Sequence, residues 1–378
     1  MTFEYVFILY KETDVHGAIS NDILRRAISV SKYREVRLLL IGCSEEYVNH
    51  ARCYLVQCSV NILEVYNTRG AYETILKRNP NESILVTHSW PDTLFCLVPP
   101  FKSLNLVLIE EVPPLFDRLP TENRKRSYKD RILSNKTVIR IITFRYRRYV
   151  MAAKMYVAIS DFEKDVLEKY YSLSPDMIVY EPVDERFFSY TESERASLMV
   201  FGNPRKEVIK CIIDAIGQRC IKEIILVNSN LDLSDYFAYG VRISEIHNYN
   251  FLEIKEMYRR TLLSVTDESR GSFELIPIES IMSGVPIISP VVPSLQILRN
   301  RIDSQTPEGD DKIYPYFDYL NLLKEGCKAN QKLGKWFLDA DRRRAHFSGL
   351  CFKLFSMVAV GKDFITKVEN HFSSDSEK

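Results

Sequence analysis

The stretch FEYVFILY, residues 3–10, is apolar at nearly every position and has the length of a β-strand. Three further runs of this kind follow: VRLLLIG at 36–42, SILVTHS at 83–89 and LNLVLIEEV at 104–112. Strands that are apolar on both faces are typical of a parallel sheet covered by helices. Helical patterns lie between these runs, at 20–32 with Ser20 or Asn21 as the N-cap, at 45–57 and at 70–78. This alternation predicts a doubly wound α/β domain.

A second series of strand and helix patterns follows the polar stretch SYTESERAS at 189–197. The chain therefore divides into a Rossmann-like domain over 1–190, a second Rossmann-like domain over 196–334, and a helical tail over 335–378. The predicted fold class is α/β, with two doubly wound domains that face each other across a cleft. Ligands of open α/β sheets bind at the carboxyl ends of the strands, where helix N-termini favour anions. The architecture alone thus favours a two-substrate enzyme that handles a phosphorylated ligand.

Composition excludes several other classes of protein. Of 378 residues, 46% are hydrophobic and 27% charged, which is ordinary globular usage and not that of a disordered, collagenous or coiled-coil chain. The formal net charge of +1 argues against global tuning for nucleic acid. The apolar runs are shorter than the roughly 18–20 residues of a membrane-spanning helix, and the N-terminus is interpreted as a strand and not a signal peptide. The 8 dispersed cysteines favour reduced thiols and a cytoplasmic location over a zinc site or disulfides.

The segment SRGSFELIPIESIMSGVPIIS, residues 269–289, carries the most information about function. A helix that begins near Leu275 would direct unpaired N–H groups and a positive dipole end at a diphosphate. The segment resembles the donor-binding signature of GT-B glycosyltransferases, particularly the retaining family 4 type. The positions in register are Phe273, Leu275, Pro277, Glu279, Met282, Gly284 and Pro286.

The resemblance implies that Phe273, Glu274 and Leu275 line the donor diphosphate and that Glu279 binds the ribose hydroxyls. Glu274 stands where the family more often has glycine, and the first glutamate of the family's E-x7-E pair falls on Gly271. A second element, MVFGNPRKE at 199–207, resembles the family's strand–loop–helix that clamps the diphosphate. It implies diphosphate-binding roles for Gly202, Arg205 and Lys206.

The N-terminal half resembles the family more weakly. Gly17 follows the first strand, where the family has a glycine-rich loop beneath the donor phosphates. The catalytic residue stays unassigned, with three candidates at strand ends: His88, Glu110 and Glu111. Adjacent carboxylates of a strand point to opposite faces, so only one of the two glutamates would face the cleft.

A basic segment spans residues 118–154 and includes Arg124, Lys125, Arg126, Arg145, Arg147 and Arg148, interleaved with aromatic residues. Three interpretations stay open. The segment would lie on an anionic bilayer, as in several lipid-directed members of the family. It would follow a nucleic-acid backbone, which we favour least. Alternatively, it forms a solvated face and lines an acidic acceptor site.

Taken together, the sequence predicts a glycosyltransferase, with a hexose the expected sugar. It would act with retention and without metal or other cofactor on a UDP- or GDP-linked donor. A cytoplasmic and membrane-peripheral location accompanies this prediction. One alternative is a non-enzymatic binding protein derived from a glycosyltransferase, which the replacement at Gly271 favours. The other is a different sugar-nucleotide enzyme on the same fold.

Overall fold

The computed structural model describes two compact units of the chain. Unit 1 comprises Met1–Pro182 together with Met357–Lys378, and unit 2 comprises Val183–Ser356. The residues described are 3–12, 18–77, 82–88, 105–110, 141, 144, 146–147, 150–151, 153–217, 220–234, 240–247, 251–268, 273–307 and 312–375.

Unit 1 is built on a parallel sheet. Its described strands are β1 (Glu4–Tyr10), β2 (Val36–Ile41), β3 (Leu63–Tyr66), β4 (Ser83–His88), β5 (Asn105–Glu110), β6 (Met155–Ala158) and β7 (Met177–Ile178). They lie in the order β3-β2-β1-β4-β5-β6-β7, so the strand order reverses between β1 and β4. Phe7 of β1 pairs with Leu38 on one side and Val86 on the other, and all three are buried. The prediction of a doubly wound sheet from continuously apolar strands is confirmed for this unit.

The described helices of unit 1 are α1 (Ala18–Ser31), α2 (Glu45–Gln57), α3 (Thr68–Leu76), α4 (Asp161–Val166, continued by a π-helical turn over Leu167–Tyr171) and, after unit 2, α12 (Met357–Asp375). The predicted N-caps of α1 are wrong, because the helix begins at Ala18 and both Ser20 and Asn21 lie inside it. The amide oxygen of Asn21 lies 3.3 Å from Nε2 of His50.

The last helix packs closely on the first. Gly361 of α12 lies against Ser29 of α1, and the Ser29 hydroxyl donates a hydrogen bond to the carbonyl of Met357. At the far end of the crossing, Arg34 donates two hydrogen bonds to Glu369, at 2.7 and 2.8 Å. These contacts place the C-terminal helix in unit 1.

Unit 2 contains a second parallel sheet. Its described strands are β8 (Ser197–Phe201), β9 (Glu223–Val227), β10 (Arg242–Ile246), β11 (Thr261–Thr266), β12 (Ile287–Ser289) and β13 (Tyr316–Asp318). Their order is β10-β9-β8-β11-β12-β13, and the reversal falls between β8 and β11. Val200 pairs with Leu226 of β9 and with Val265 of β11. The second doubly wound sheet is therefore confirmed as well.

The described helices of unit 2 are α5 (Lys206–Ile216), α6 (Phe251–Arg260), α7 (Leu275–Met282), α8 (Pro293–Gln305), α9 (Tyr319–Glu325), α10 (Asn330–Arg342) and α11 (Arg344–Phe355), with a 3-10 turn over Gly326–Ala329. Helix α5 directs Ile209, Ile212 and Ile213 into the core, which they share with strand residues of β8 and β9. The interior of unit 2 is therefore a helix-covered parallel sheet.

The chain passes between the units at Pro182/Val183 and at Ser356/Met357, whereas the sequence placed the division at 190–196 and a separate tail from 335. The polar stretch around 189–197 misled the prediction because its polar groups are bonded inside unit 2. Arg195 donates to the carbonyls of Tyr258, Thr261 and Ser283 at 3.0–3.1 Å. Helices α10 and α11 also belong to unit 2, and α12 alone of the predicted tail belongs to unit 1.

Candidate functional site

The turn after β8 requires a glycine. Gly202 has φ +69°, and a Cβ built on it would lie 2.8 Å from Oδ1 of Asp267. Gly202 follows β8 and Asp267 follows β11, so both lie at the point where the strand order of this sheet reverses. That point is where open α/β sheets bind their ligands.

Hydrogen bonds hold the backbone after Gly202 across three strand ends. The carboxylate of Asp267 accepts a hydrogen bond from the Asn203 N–H at 3.2 Å. The side-chain oxygen of Asn203 in turn accepts one from the Asn230 N–H at 2.9 Å, just beyond β9. The ends of β8, β9 and β11 are thereby joined into one polar edge, which fixes where α5 begins.

The two predicted cations, Arg205 and Lys206, stand at the start of α5 and are exposed. The backbone N–H of Arg205 donates to the Tyr319 hydroxyl at 3.0 Å. Burial raises the pKa of Tyr319, so its hydroxyl stays protonated near neutral pH and accepts this bond as a neutral group. The ammonium of Lys206 lies 3.7 Å from a carboxylate oxygen of the exposed Asp232. An exposed pair of this kind is weak, so the ammonium is available to a stronger anion.

Helix α7 starts from a strained residue. Glu274 occupies the N-cap position with φ +60° and ψ 103°, a backbone region that non-glycine residues rarely adopt. The first turn that follows consists of Leu275, Ile276 and Pro277. Leu275 and Ile276 carry backbone N–H groups at the positive end of the helix dipole, and such groups favour an anionic ligand, whereas Pro277 has no N–H.

The predicted donor residues around α7 differ in exposure. The ring of Phe273 is buried and stacks edge-on against Phe355 at 5.6 Å, so its side chain belongs to the core. Glu274, Leu275 and Glu279 are half-buried. Glu279 lies one helical turn after Leu275 on α7.

Gly284 of the same signature serves the fold. It has φ +76°, and a Cβ built on it would lie 2.2 Å from Cδ2 of Tyr190. Its carbonyl accepts a hydrogen bond from the buried guanidinium of Arg344 at 2.7 Å. The described part of the signature thus has half-buried positions at the start of α7 and a tightly packed turn after the helix.

Two of the three candidate catalytic residues, His88 and Glu110, lie at the carboxyl edge of the sheet of unit 1. His88 ends β4 and pairs with Ile109, while Glu110 ends the neighbouring β5, so their backbones lie on adjacent strands. The reversal of strand order between β1 and β4 places His88 at the switch point of this sheet. Gly17 and Glu111 lie outside the described residues.

Part of the basic segment is described. Arg147 is exposed, whereas Arg124, Lys125, Arg126, Arg145 and Arg148 lie outside the described residues. Residues 141, 144, 146, 147 and 150 are helical. Tyr146 and Val150 are buried, and three apolar side chains near Arg147 face solvent: Ile141 is 51% exposed, Phe144 62% and Met151 73%. Exposed apolar groups thus lie beside at least one exposed cation.

Three residues that support this site were not predicted as part of it. Ser294, at the start of α8, donates to the Glu274 carbonyl, and Tyr319 accepts from Arg205. Asp267, which follows β11, accepts a hydrogen bond from the Asn203 N–H and so holds the loop after β8. A polar residue directly after a strand was the available signal for Asp267. The other two are distant in sequence from the groups they contact.

Two searches of the described residues gave negative results. Within residues 3–375, excluding the gaps given above, no group of three or more His, Cys, Asp or Glu side chains could hold a metal ion. No helix of that part of the chain is long and apolar enough to cross a bilayer.

Sequence comparison finds no protein family and no curated protein that matches this chain. Solved structures do resemble it. Sucrose-phosphate synthase from Thermosynechococcus elongatus gives a TM-score of 0.61 at 12% identity, over 98% of this chain and 100% of that one. The pneumococcal O-GlcNAc transferase GtfA, in complex with UDP and GlcNAc, gives 0.62 at 10% identity, over 98% and 99%. Anabaena HepE in complex with UDP gives 0.59 at 12% identity, over 97% and 100%.

These neighbours are GT-B glycosyltransferases, and they match nearly the whole of the chain. Their two parallel-sheet α/β domains correspond to the seven-stranded and six-stranded sheets described above. The chain therefore has the GT-B fold.

Proposed function

We propose that this protein is a glycosyltransferase that takes a nucleotide-diphosphate sugar as its donor, with UDP as the first nucleotide to test. The observation that carries the proposal is the strand-end edge of unit 2. There, a turn that requires Gly202 and the exposed cations Arg205 and Lys206 lie at the switch point of the sheet. Support comes from the fold, since HepE with UDP-glucose gives a TM-score of 0.57 over 97% of this chain.

The reaction breaks the bond between the anomeric carbon and the diphosphate oxygen, and the electron pair leaves with the nucleoside diphosphate. An acceptor hydroxyl forms the new glycosidic bond and releases its proton. Negative charge grows on the departing diphosphate, where fixed cations and backbone N–H groups are worth several kcal/mol. We assign this stabilisation to Arg205, Lys206 and the first turn of α7, and the ribose to Glu279. Retention, independence of metal and a hexose as the transferred sugar complete the proposal.

A binding and hydrolysis assay tests it. We expect UDP or GDP, with the matching sugar nucleotide, to raise the Tm and to show a measurable Kd by calorimetry. Glu279→Ala and the double variant Arg205→Ala/Lys206→Ala should each weaken donor binding by about tenfold or more. The charge-matched control is Lys222→Ala/Arg259→Ala, because both cations are exposed near the amino ends of the strands. Equal losses in the control would contradict the assignment of the site.

The same assay separates the alternatives. A chain that binds UDP but neither hydrolyses nor transfers the sugar would be the binding protein derived from a transferase, as the glycine at position 271 favours. Release of a different product from the sugar nucleotide would identify another enzyme on this fold. Transfer to an added acceptor would establish the glycosyltransferase.

We also propose an anionic membrane surface as the partner of the basic segment. The support is the combination of exposed Phe144 and Met151 with exposed Arg147, since apolar groups insert between lipids while cations meet their headgroups. A cytoplasmic, membrane-peripheral location belongs to the same proposal. Co-sedimentation with phosphatidylglycerol vesicles should exceed that with phosphatidylcholine vesicles and should fall in Phe144→Ser/Met151→Ser.

The matched control for the vesicle assay is Leu338→Ser/Phe352→Ser, which removes two exposed apolar side chains of unit 2. This variant should sediment with anionic vesicles as the wild type does. Binding to single-stranded RNA in place of vesicles, or equal losses in both double variants, would overturn the membrane proposal.

A further inference from the structure

We propose that Ser294 is a positioning residue that orients the first backbone donors of α7 toward the diphosphate of the donor. This inference rests on the proposed function and assigns a specific task to a residue outside the donor-binding signature. Ser294 is fully buried and lies next to Pro293, the first residue of α8. A proline at that position fixes φ and holds the start of the helix, which restricts where Ser294 lies.

Ser294 holds two successive carbonyls ahead of α7. Its backbone N–H donates to the carbonyl of Phe273 at 3.2 Å, and its hydroxyl donates to the carbonyl of Glu274 at 2.8 Å. One buried residue of α8 is therefore hydrogen-bonded to the peptide groups on both sides of Glu274. Glu274 has a φ of +60°, which is unusual for a residue other than glycine.

Because the peptide bond is planar, a hydrogen bond that holds a carbonyl also fixes the direction of the next residue's N–H. In a trans peptide the carbonyl of one residue and the N–H of the next point in opposite directions. When Ser294 holds the carbonyls of Phe273 and Glu274, it directs the N–H groups of Glu274 and Leu275 away from α8. Those N–H groups begin the turn that we assign to the diphosphate.

The strain at Glu274 explains why this chain needs such a contact. Glycine adopts a positive φ at little cost, whereas a residue with a Cβ does so only when its surroundings impose it. The signature that this segment resembles more often has glycine at the position of Glu274. The bond from Ser294 therefore offsets a substitution that would otherwise let the start of α7 relax to another conformation.

Calorimetric titration with UDP and with uridine tests this role. We expect Ser294→Ala to weaken UDP binding about tenfold and uridine binding less than about twofold. The reason is that the lost hydrogen bond orients backbone N–H groups that contact only the diphosphate, which uridine lacks. Ser304→Ala is the control on the same helix, since the Ser304 hydroxyl only bonds the nearby Arg301 carbonyl and is exposed. It should bind both ligands as the wild type does.

Measuring Ser294→Ala in a Glu274→Gly variant distinguishes a positioning role of Ser294 from a general loss of structure. In Glu274→Gly the backbone no longer needs to be held, so adding Ser294→Ala should cost about threefold or less in UDP affinity. If Ser294→Ala does not fold, judged by circular dichroism, Ser294→Cys takes its place with an expected loss of about threefold.

The outcomes distinguish this proposal from the function it rests on. A wild type that binds neither UDP nor GDP overturns the proposed function and the role of Ser294 together. A wild type that binds UDP, alongside a Ser294 variant of equal affinity, overturns the role of Ser294 alone. Equal losses for UDP and uridine, or the same loss in the Glu274→Gly background, would also overturn it.

Discussion

At the crossing of α12 over α1, the structure predicts whether replacing Gly361 with alanine raises or lowers the free energy of unfolding. A Cβ added at Gly361 would lie 2.4 Å from Oγ of Ser29, 2.7 Å from its carbonyl oxygen and 2.8 Å from its carbonyl carbon. Two of these atoms belong to the backbone of α1, which cannot rotate aside as a side chain can. Gly361→Ala should therefore force the two helices apart.

Two opposing effects set the size of the change. Overpacking at a tight contact costs about 1–3 kcal/mol. Replacing a helical glycine with alanine favours the helix by about 1 kcal/mol. We expect the overpacking to dominate, and a net loss of up to about 2 kcal/mol in the free energy of unfolding.

Gly349 of α11 provides a matched control, because a Cβ added there would meet no atom within 4 Å. Gly349→Ala should raise the free energy of unfolding by up to about 1 kcal/mol. Urea denaturation followed by far-UV circular dichroism measures both variants. Ser29→Ala should not rescue Gly361→Ala, since the backbone atoms of Ser29 remain. A Gly361→Ala variant as stable as Gly349→Ala would refute the description of this crossing.

Two further predictions concern unit 2. Burial acts to raise the pKa of Glu223, but hydrogen bonds from Ser244 and Ser197 and the charges of two nearby arginines outweigh it and lower the pKa. The stability that the carboxylate supplies is present above its unfolded pKa of about 4.3 and is lost as the pH falls through its lower folded pKa. The Tm of Glu223→Gln should therefore change less between about pH 5 and 3 than the Tm of the wild type. Parallel Tm curves would contradict this. Tyr319→Phe removes the acceptor of the Arg205 N–H and should weaken UDP binding about two- to tenfold by calorimetry, whereas an unchanged Kd would show that this bond does not set the start of α5.

The interior strands were predictable because a strand that is buried on both faces has a continuously apolar sequence. Residues 3–10, 36–42, 83–89 and 104–112 correspond to β1, β2, β4 and β5. The strand Leu63–Tyr66 was missed, since it lies at the edge of the sheet, is four residues long and is only partly buried. The division of the chain was displaced for another reason. A polar segment was interpreted as a linker, although its half-buried Arg195 donates hydrogen bonds to backbone carbonyls of unit 2.

The candidate site was predictable where the backbone itself requires a particular residue. Gly202 and Gly284 both adopt positive φ against a close neighbour, and both stood out in the sequence. Ser294 and Tyr319 did not, because their contacts form between elements distant along the chain. Tyr319 lies 114 positions from Arg205, and no local pattern marks such a pair.

The positions that this chain shares with the donor-binding signature, and those at which it differs, bear on the choice between enzyme and binding protein. Gly202 shapes the turn after β8 from which α5 begins, whereas the N-cap of α7 is Glu274, where the resembled signature more often has glycine. Two other replacements remove a side chain that the resembled signature uses: Asn203 stands in place of an arginine and Gly271 in place of a glutamate. Backbone N–H groups and cations that contact the diphosphate raise the rate only in so far as they bind it more tightly in the transition state than in the ground state. Under the proposed function, removal of Arg205 and Lys206 should lower donor hydrolysis more than donor affinity, because the charge on the departing diphosphate grows in the transition state. Equal losses in rate and affinity would show that the two cations bind the ground state and the transition state alike, and no hydrolysis at all in the wild type would identify a binding protein.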